Sequence, residues 1–173
     1  MAELTKGFQA EENLRMYFLQ NGYYVARGIP FKYKGFDITD IDLWIYHRTS
    51  SVSREISIID IKNKKTPQAI ERIFWVKGLQ LAVGATNALV ATTDKRIDVK
   101  DFGKKLDVFV LDGNFLNKIH KFETHQEFRL SDEEILKMID SYSLSKLDGN
   151  WKVKFLEAKS LLVLGLNFDN LKI

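Results

Sequence analysis

Apolar and polar positions along the chain change period several times, and each change marks an element. From Leu4 to Gln20 the period is helical. At about 100° per residue, Leu4, Gly7, Leu14 and Phe18 share one stripe with Phe8 at its edge, and Asn21-Gly22 supplies a stop signal. Glu11 falls in the middle of that stripe, whereas Glu12 points away from it. A carboxylate on the buried face of a helix needs a partner. Tyr23 to Tyr33 then reads as a strand, broken or bent at Ile29-Pro30 because proline has no N–H for a ladder. Lys34-Gly35-Phe36-Asp37 turns the chain into a second strand that carries Asp40 and Asp42. A serine-rich loop, His47 to Arg54, leads to a third strand, Glu55 to Lys62, and connections this short imply an antiparallel meander.

Thr66-Pro67 opens a helix, with a capping threonine before a proline at the first helical position. It runs to about Gly84 and is apolar around nearly its whole circumference, which predicts that it is largely buried. Lys77 and Gln80 are its polar exceptions, spaced to share a face. Asn87 to Thr93 reads as a short buried strand, Val99 to Leu106 as a helix and Asp107 to Leu111 as a strand. Between Asn114 and Leu130 the pattern is ambiguous: Phe115, Leu116, Ile119 and Phe122 suit a helix, and the rest does not decide. Ser131 to Glu134 forms a capping box ahead of a helix to about Tyr142, and Trp151 to Leu166 reads as a final helix. The fold class is α/β. A core over residues 1–112 is followed by a mainly helical extension, 113–173, packed on it.

Composition narrows this picture slightly. In 173 residues the charged fraction is 28% and the hydrophobic fraction 45%, which describes a globular chain rather than a disordered one. The absence of cysteine excludes disulfides and thiolate zinc sites and fits a cytoplasmic protein. His47, His120 and His125 show no metal-ligand spacing and read as surface or loop residues. A net charge of +3 is compatible with a nucleic-acid partner. The opening residues carry charges throughout, unlike a secretory signal, and the longest apolar run, Leu161 to Leu166, is too short to cross a bilayer.

Candidate chemistry lies on the second and third strands. Side chains two apart on a strand share a face, so Asp40 pairs with Asp42 and Asp60 with Lys62. Carboxylates and a lysine at the ends of apolar strands are costly unless something neutralises them. A hairpin brings Asp42 and Asp60 together, and such oxygen ligands suit Mg²⁺ or Mn²⁺. A metal would relieve their repulsion, activate a water and offset charge on a phosphate oxygen, with Lys62 beside the scissile phosphate. The competing reading is a solvated strand edge with surface salt bridges. Trp44 and Tyr46 share the face of Asp42, where they either pack or stack on a nucleic acid.

In this order and with these residues the chain resembles the PD-(D/E)XK, or restriction-endonuclease-like, nuclease superfamily over residues 5 to 112. The resemblance implies an αβββαβ core, with a mixed central sheet flanked by helices. Asp42 in Thr39-Asp40-Ile41-Asp42-Leu43 takes the place of the catalytic aspartate, and Asp60-Ile61-Lys62 matches the (D/E)xK motif. Asp42, Asp60, Glu11 and the backbone carbonyl of Ile61 are then the expected metal ligands, and Lys62 the catalytic lysine. Asp40, Gln80 and Lys77 are the expected supporting residues. Asp40 either ligates a second metal or assists, and Lys77 and Gln80 are equally readable as a snorkelling lysine and a satisfied core amide. Lys64, Lys65 and Arg72 are placed to contact phosphates. No proline precedes Asp42, a departure shared by many branches of the superfamily. The implied function is Mg²⁺- or Mn²⁺-dependent hydrolysis of DNA, endonucleolytic rather than exonucleolytic, by a homodimer if both strands are cut. The alternative is a DNA-binding or assembly module that keeps the fold without cutting.

Overall fold

The computed structural model describes residues 6–62, 68–119, 130–142 and 149–165. Apolar strands alternating with helices give an α/β fold with five strands in one sheet, ordered β1-β2-β3-β4-β5. The elements are α1 (Lys6–Gln20), β1 (Tyr24–Tyr33), β2 (Phe36–Arg48), β3 (Arg54–Lys62), α2 (Ala69–Val83), β4 (Asn87–Thr92), α3 (Ile97–Lys105), β5 (Val108–Leu111), α4 (Gly113–Ile119), α5 (Asp132–Ser141) and α6 (Trp151–Leu161). β2 and β3 pair antiparallel from Leu43↔Ile59 to Arg48↔Arg54. β3 and β4 are parallel, with Asp60 opposite Val90 and Lys62 opposite Thr92, and β4 and β5 are parallel as well. The sheet is therefore mixed, with α2 and α3 as the crossovers its parallel pairs require.

Two compact units divide the chain by contact: Met1–Gly28 with Ile41–Glu123, and Ile29–Asp40 with Thr124–Ile173. In the first unit both parities of the central strands are buried, so helices cover both faces. Leu43, Ile45, Ile59, Ile61 and Ala91 form one core with Ala10 and Leu14 of α1 and Ile119 of α4. Tyr17, Phe18, Tyr23 and Phe115 close it edge to face. Trp44, Ile58, Ala88 and Val90 have the opposite parity, and α2 packs on β3, β4 and β5 with α3 beside it. Gly84, at φ 67° and with its N–H on the Gln80 carbonyl, ends α2 in a left-handed cap and turns the chain into β4. At Gly113 a Cβ would stand 2.5 Å from the Thr93 carbonyl oxygen, so the start of α4 can approach the end of β4 only without a side chain.

Several expectations need correction. β1 is unbroken through Pro30, because β1 is the outer strand of the sheet, where a missing N–H is tolerated, but it bends as expected, at Gly28 with φ 57°, just before Ile29-Pro30. α2 is not buried all round. It lies on one sheet face, burying Ala69, Ile73, Val76, Leu79 and Gln80, while Ile70, Phe74, Trp75 and Leu81 are exposed. The buried face of α1 centres on Ala10 and Leu14, and Gly7 is exposed. His47 lies on β2, half-buried against the Tyr23 ring at 4.5 Å, rather than in a loop. The ambiguous stretch after Asn114 begins as α4, capped by Asp112, whose Oδ1 accepts from the Phe115 N–H at 2.9 Å. α4 packs on α1 and β4 and so belongs to the first unit.

In the second unit, Ser131 and Glu134 form the expected capping box at the start of α5. α5 packs on α6, which ends at Leu161, and Lys159 reaches Asp132 at 2.7 Å. Thr66-Pro67 lies outside the described residues. Among the described residues no helix is long and apolar enough to cross a membrane.

Candidate active site

The last rung between β2 and β3 is Leu43↔Ile59. One residue further out the ladder gives way to a side chain: Asp42 Oδ2 accepts the backbone N–H of Ile61 at 2.6 Å. This bond holds the Asp42 carboxylate against β3 between Asp60 and Lys62. Asp60 and Ile61 are both buried, and Lys62 is half-buried at the strand end. β3 runs parallel to β4, so this is the carboxyl end of a parallel pair, where open α/β sheets commonly leave their binding crevice.

Asp60 is 7% exposed and would be costly there as a lone charge. Its counter-charge is Arg72, from the first turns of α2. Arg72 Nε donates to Asp60 Oδ2 at 2.7 Å and Nη2 donates to Oδ1, a two-pronged pairing that occupies both carboxylate oxygens. The Arg72 guanidinium carbon lies 5.6 Å from the centre of the Trp75 ring. Burial pulls Arg72 below the ordinary arginine value, and the nearby negative charge of Asp42 pulls it the other way. Arg72 therefore sits within electrostatic reach of both strand aspartates.

Glu11 arrives from α1. Its carboxyl is raised above the ordinary glutamate value first by burial and then by Asp42, while Arg27 and Lys62 oppose the rise. Glu11, Asp42 and Lys62 thus act on one another although they come from three elements. Arg27 of β1 lies beneath α1, buried, with Nη1 3.4 Å from Glu11 Oε2 and Nε 3.7 Å from Glu12 Oε2. Its guanidinium carbon sits 4.2 Å from the centre of the Phe8 ring. Glu12 also accepts from Arg15 at 2.6 Å. The expectation that Glu12 points away is therefore corrected: the helix is rotated so that Arg27 draws both glutamates toward the sheet.

Arg27 and Glu12 are the residues that sequence reasoning missed. Their signal was parity: Val25, Arg27 and Ile29 alternate on one side of β1, and an arginine between two buried apolar positions demands an acidic partner. Arg72 was expected to meet phosphate and instead meets Asp60.

The other expected residues lie elsewhere. Gln80, near the far end of α2, donates to the Thr86 carbonyl at 2.8 Å and clips the helix to the start of β4. Lys77 is half-buried and about 140° around the helix from Arg72. Asp40 is exposed and belongs to the second unit. Lys64 and Lys65 lie outside the described residues.

Among the described residues no three His, Asp or Glu side chains are grouped so as to hold a metal ion. Arg72 pairs with both oxygens of Asp60, and Arg27 Nη1 lies 3.4 Å from Glu11 Oε2. The donor chemistry still fits a hard divalent cation. Burial first and then the charge of Asp42 raise Glu11, and a cation beside these carboxylates would offset the second effect. No protein-family model matches the chain, and comparison with curated proteins finds no match.

Proposed function

We propose that this site hydrolyses DNA phosphodiester bonds with the help of Mg²⁺ or Mn²⁺. The observation that carries the reading is the Asp42–Ile61 bond, which holds one acidic side chain between Asp60 and Lys62. The element order α1-β1-β2-β3-α2-β4, with β2–β3 antiparallel and β3–β4 parallel, supports a restriction-endonuclease-like core. Asp42 and Glu11 would hold the cation together with the Ile61 carbonyl, and Asp60 would join them when Arg72 releases it. The cation supplies an acidified water and a counter-charge for phosphate oxygen. Lys62, half-buried and close enough to Glu11 to lower it, orients the attacking water and stabilises charge developing on the phosphate. The Ile61 N–H fixes Asp42 so that little reorganisation is needed during reaction. DNA as substrate agrees with a cytoplasmic setting, and a homodimer would present two such sites to two strands.

The test is incubation with supercoiled plasmid and with single-stranded DNA, in Mg²⁺, Mn²⁺ or EDTA. Nicking or linearisation is expected in either cation and none in EDTA, with loss in Asp42→Asn and Lys62→Ala. Cleavage that survives both substitutions overturns the assignment.

One observation favours a second reading, a DNA-binding module that does not cut: both oxygens of Asp60 are already taken by Arg72. In that case no cation produces cleavage, and DNA binding weakens steeply with salt.

A further inference from the structure

We infer that Arg72 and a divalent cation are alternative occupants of the Asp60 carboxylate, and that binding of the cation transfers the Arg72 guanidinium to a substrate phosphate. This rests on the metal-dependent reading above and adds to it a role for a residue outside the acidic motif. Asp60 is deeply buried, so its ionised form needs a counter-charge beside it. Arg72 fills that position with both prongs of its fork. A hard cation favours the same two oxygens and gains Asp42, whose charge Arg72 already senses.

The two site arginines differ in freedom. The Arg27 side chain is 7% exposed, covered by Phe8 and shared between two glutamates, so it is fixed. The Arg72 side chain is 25% exposed, on a helix whose neighbouring ring, Trp75, is 43% exposed and offers the guanidinium a second surface to stack on. The planar fork that matches a carboxylate matches a phosphate equally well. The exchange keeps Asp60 neutralised at each stage. It also ties tight DNA contact to the presence of the cation, so that the site grips substrate when it is equipped to cut.

The test begins with calorimetric titration of Mn²⁺ alone into the full chain, comparing wild type with Arg72→Ala and Arg72→Gln. Circular dichroism checks that each variant is folded, and the glutamine variant serves if the alanine variant is not. Removing the competitor is expected to tighten Mn²⁺ binding by about tenfold, a difference of roughly 1.4 kcal/mol. Equal or weaker binding in the variants, with wild type still binding, overturns the exchange and leaves the metal-dependent reading standing. No binding in wild type or in either variant removes both.

The second arm measures duplex DNA affinity against salt, in EDTA and in Ca²⁺. Arg72→Gln is expected to lower the salt slope by about one unit in Ca²⁺ and to leave it unchanged in EDTA. A slope that falls equally in both conditions overturns the exchange, because Arg72 would then contact phosphate whether or not Asp60 is paired.

Discussion

The two ends of the β3–β4 pair handle polar groups in opposite ways. At the leading end Asn87 Nδ2 donates to Glu55 Oε2 and Ser57 Oγ, both at 3.2 Å. Thr86 exchanges hydrogen bonds with Ile56, giving its N–H to the carbonyl and taking the Ile56 N–H on its hydroxyl, while Gln80 closes over the Thr86 carbonyl. Amides and hydroxyls dominate this joint, and directional bonds of this kind have little to exchange with. At the trailing end Asp42 accepts from the Ile61 N–H, Arg72 pairs with Asp60, Arg27 pairs with Glu11, and Asp42 and Lys62 act on Glu11 through their charges. Charged groups can trade partners with ions and with substrate, whereas the leading end, where amides and hydroxyls tie in Glu55, holds the sheet together. The same strand pair therefore carries a structural end and a reactive end, and the kind of polar group distinguishes them.

The sharpest break in this comparison is expected in activity. Asp42→Asn should reduce Mg²⁺-dependent cleavage by about 10³-fold, read from plasmid nicking rates, because it removes a negative ligand from the developing charge balance. Changes at the leading end should leave cleavage within a factor of a few. The next effect is on stability. Arg72→Ala strands Asp60 and should cost about 2–3 kcal/mol by urea unfolding in EDTA, with part recovered in saturating Mn²⁺. Gln80→Ala should cost about 2 kcal/mol from the lost bond and packing, with no recovery in Mn²⁺. If Mn²⁺ rescues both variants alike, the two ends do not differ in kind.

The smallest effect concerns pH. The Glu11 carboxyl is raised above its unfolded value of 4.5, so the folded state holds its proton to higher pH than the unfolded state. Stability from this group is therefore full below pH 4.5 and is lost as pH rises through the folded value. At neutral pH without a cation the ionised carboxylate is a small liability, discounted by its partial exposure. Glu11→Gln should raise the melting temperature at pH 7 in EDTA by about 1 °C, and the gain should vanish below pH 4.5. A lowered melting temperature at pH 7 would show that Arg27 outweighs burial and Asp42.

Legibility in the sequence followed periodicity. β2 and β3 are readable because they are rich in β-branched and aromatic residues, and Asp42, Asp60 and Lys62 do lie on these strands. The capping box of α5 was readable because it is local chemistry. What failed depends on partners distant in sequence. The rotation of α1 is set by Arg27, which a helix-only phase does not contain. The exposed side of α2 follows from the sheet having one face to offer it, which composition does not record. Gln80 matched by residue type and helix, yet α2 runs away from the site, so a residue near its end meets Thr86 instead. Arg72 reads as one more basic residue in the sequence because its partner, Asp60, is 12 residues away on a different element.

The ladder that stops at Leu43 leaves the Ile61 amide proton bonded to a side chain rather than to a neighbouring strand. Its protection from hydrogen exchange is consequently governed by the Asp42 carboxylate and not by sheet stability. A ligand that draws Asp42 off should make that one amide exchange faster while Ile59, two residues inward on β3, keeps its rate. The backbone thus carries a single-proton indicator of what the acidic cluster is bound to, readable without any substrate being turned over.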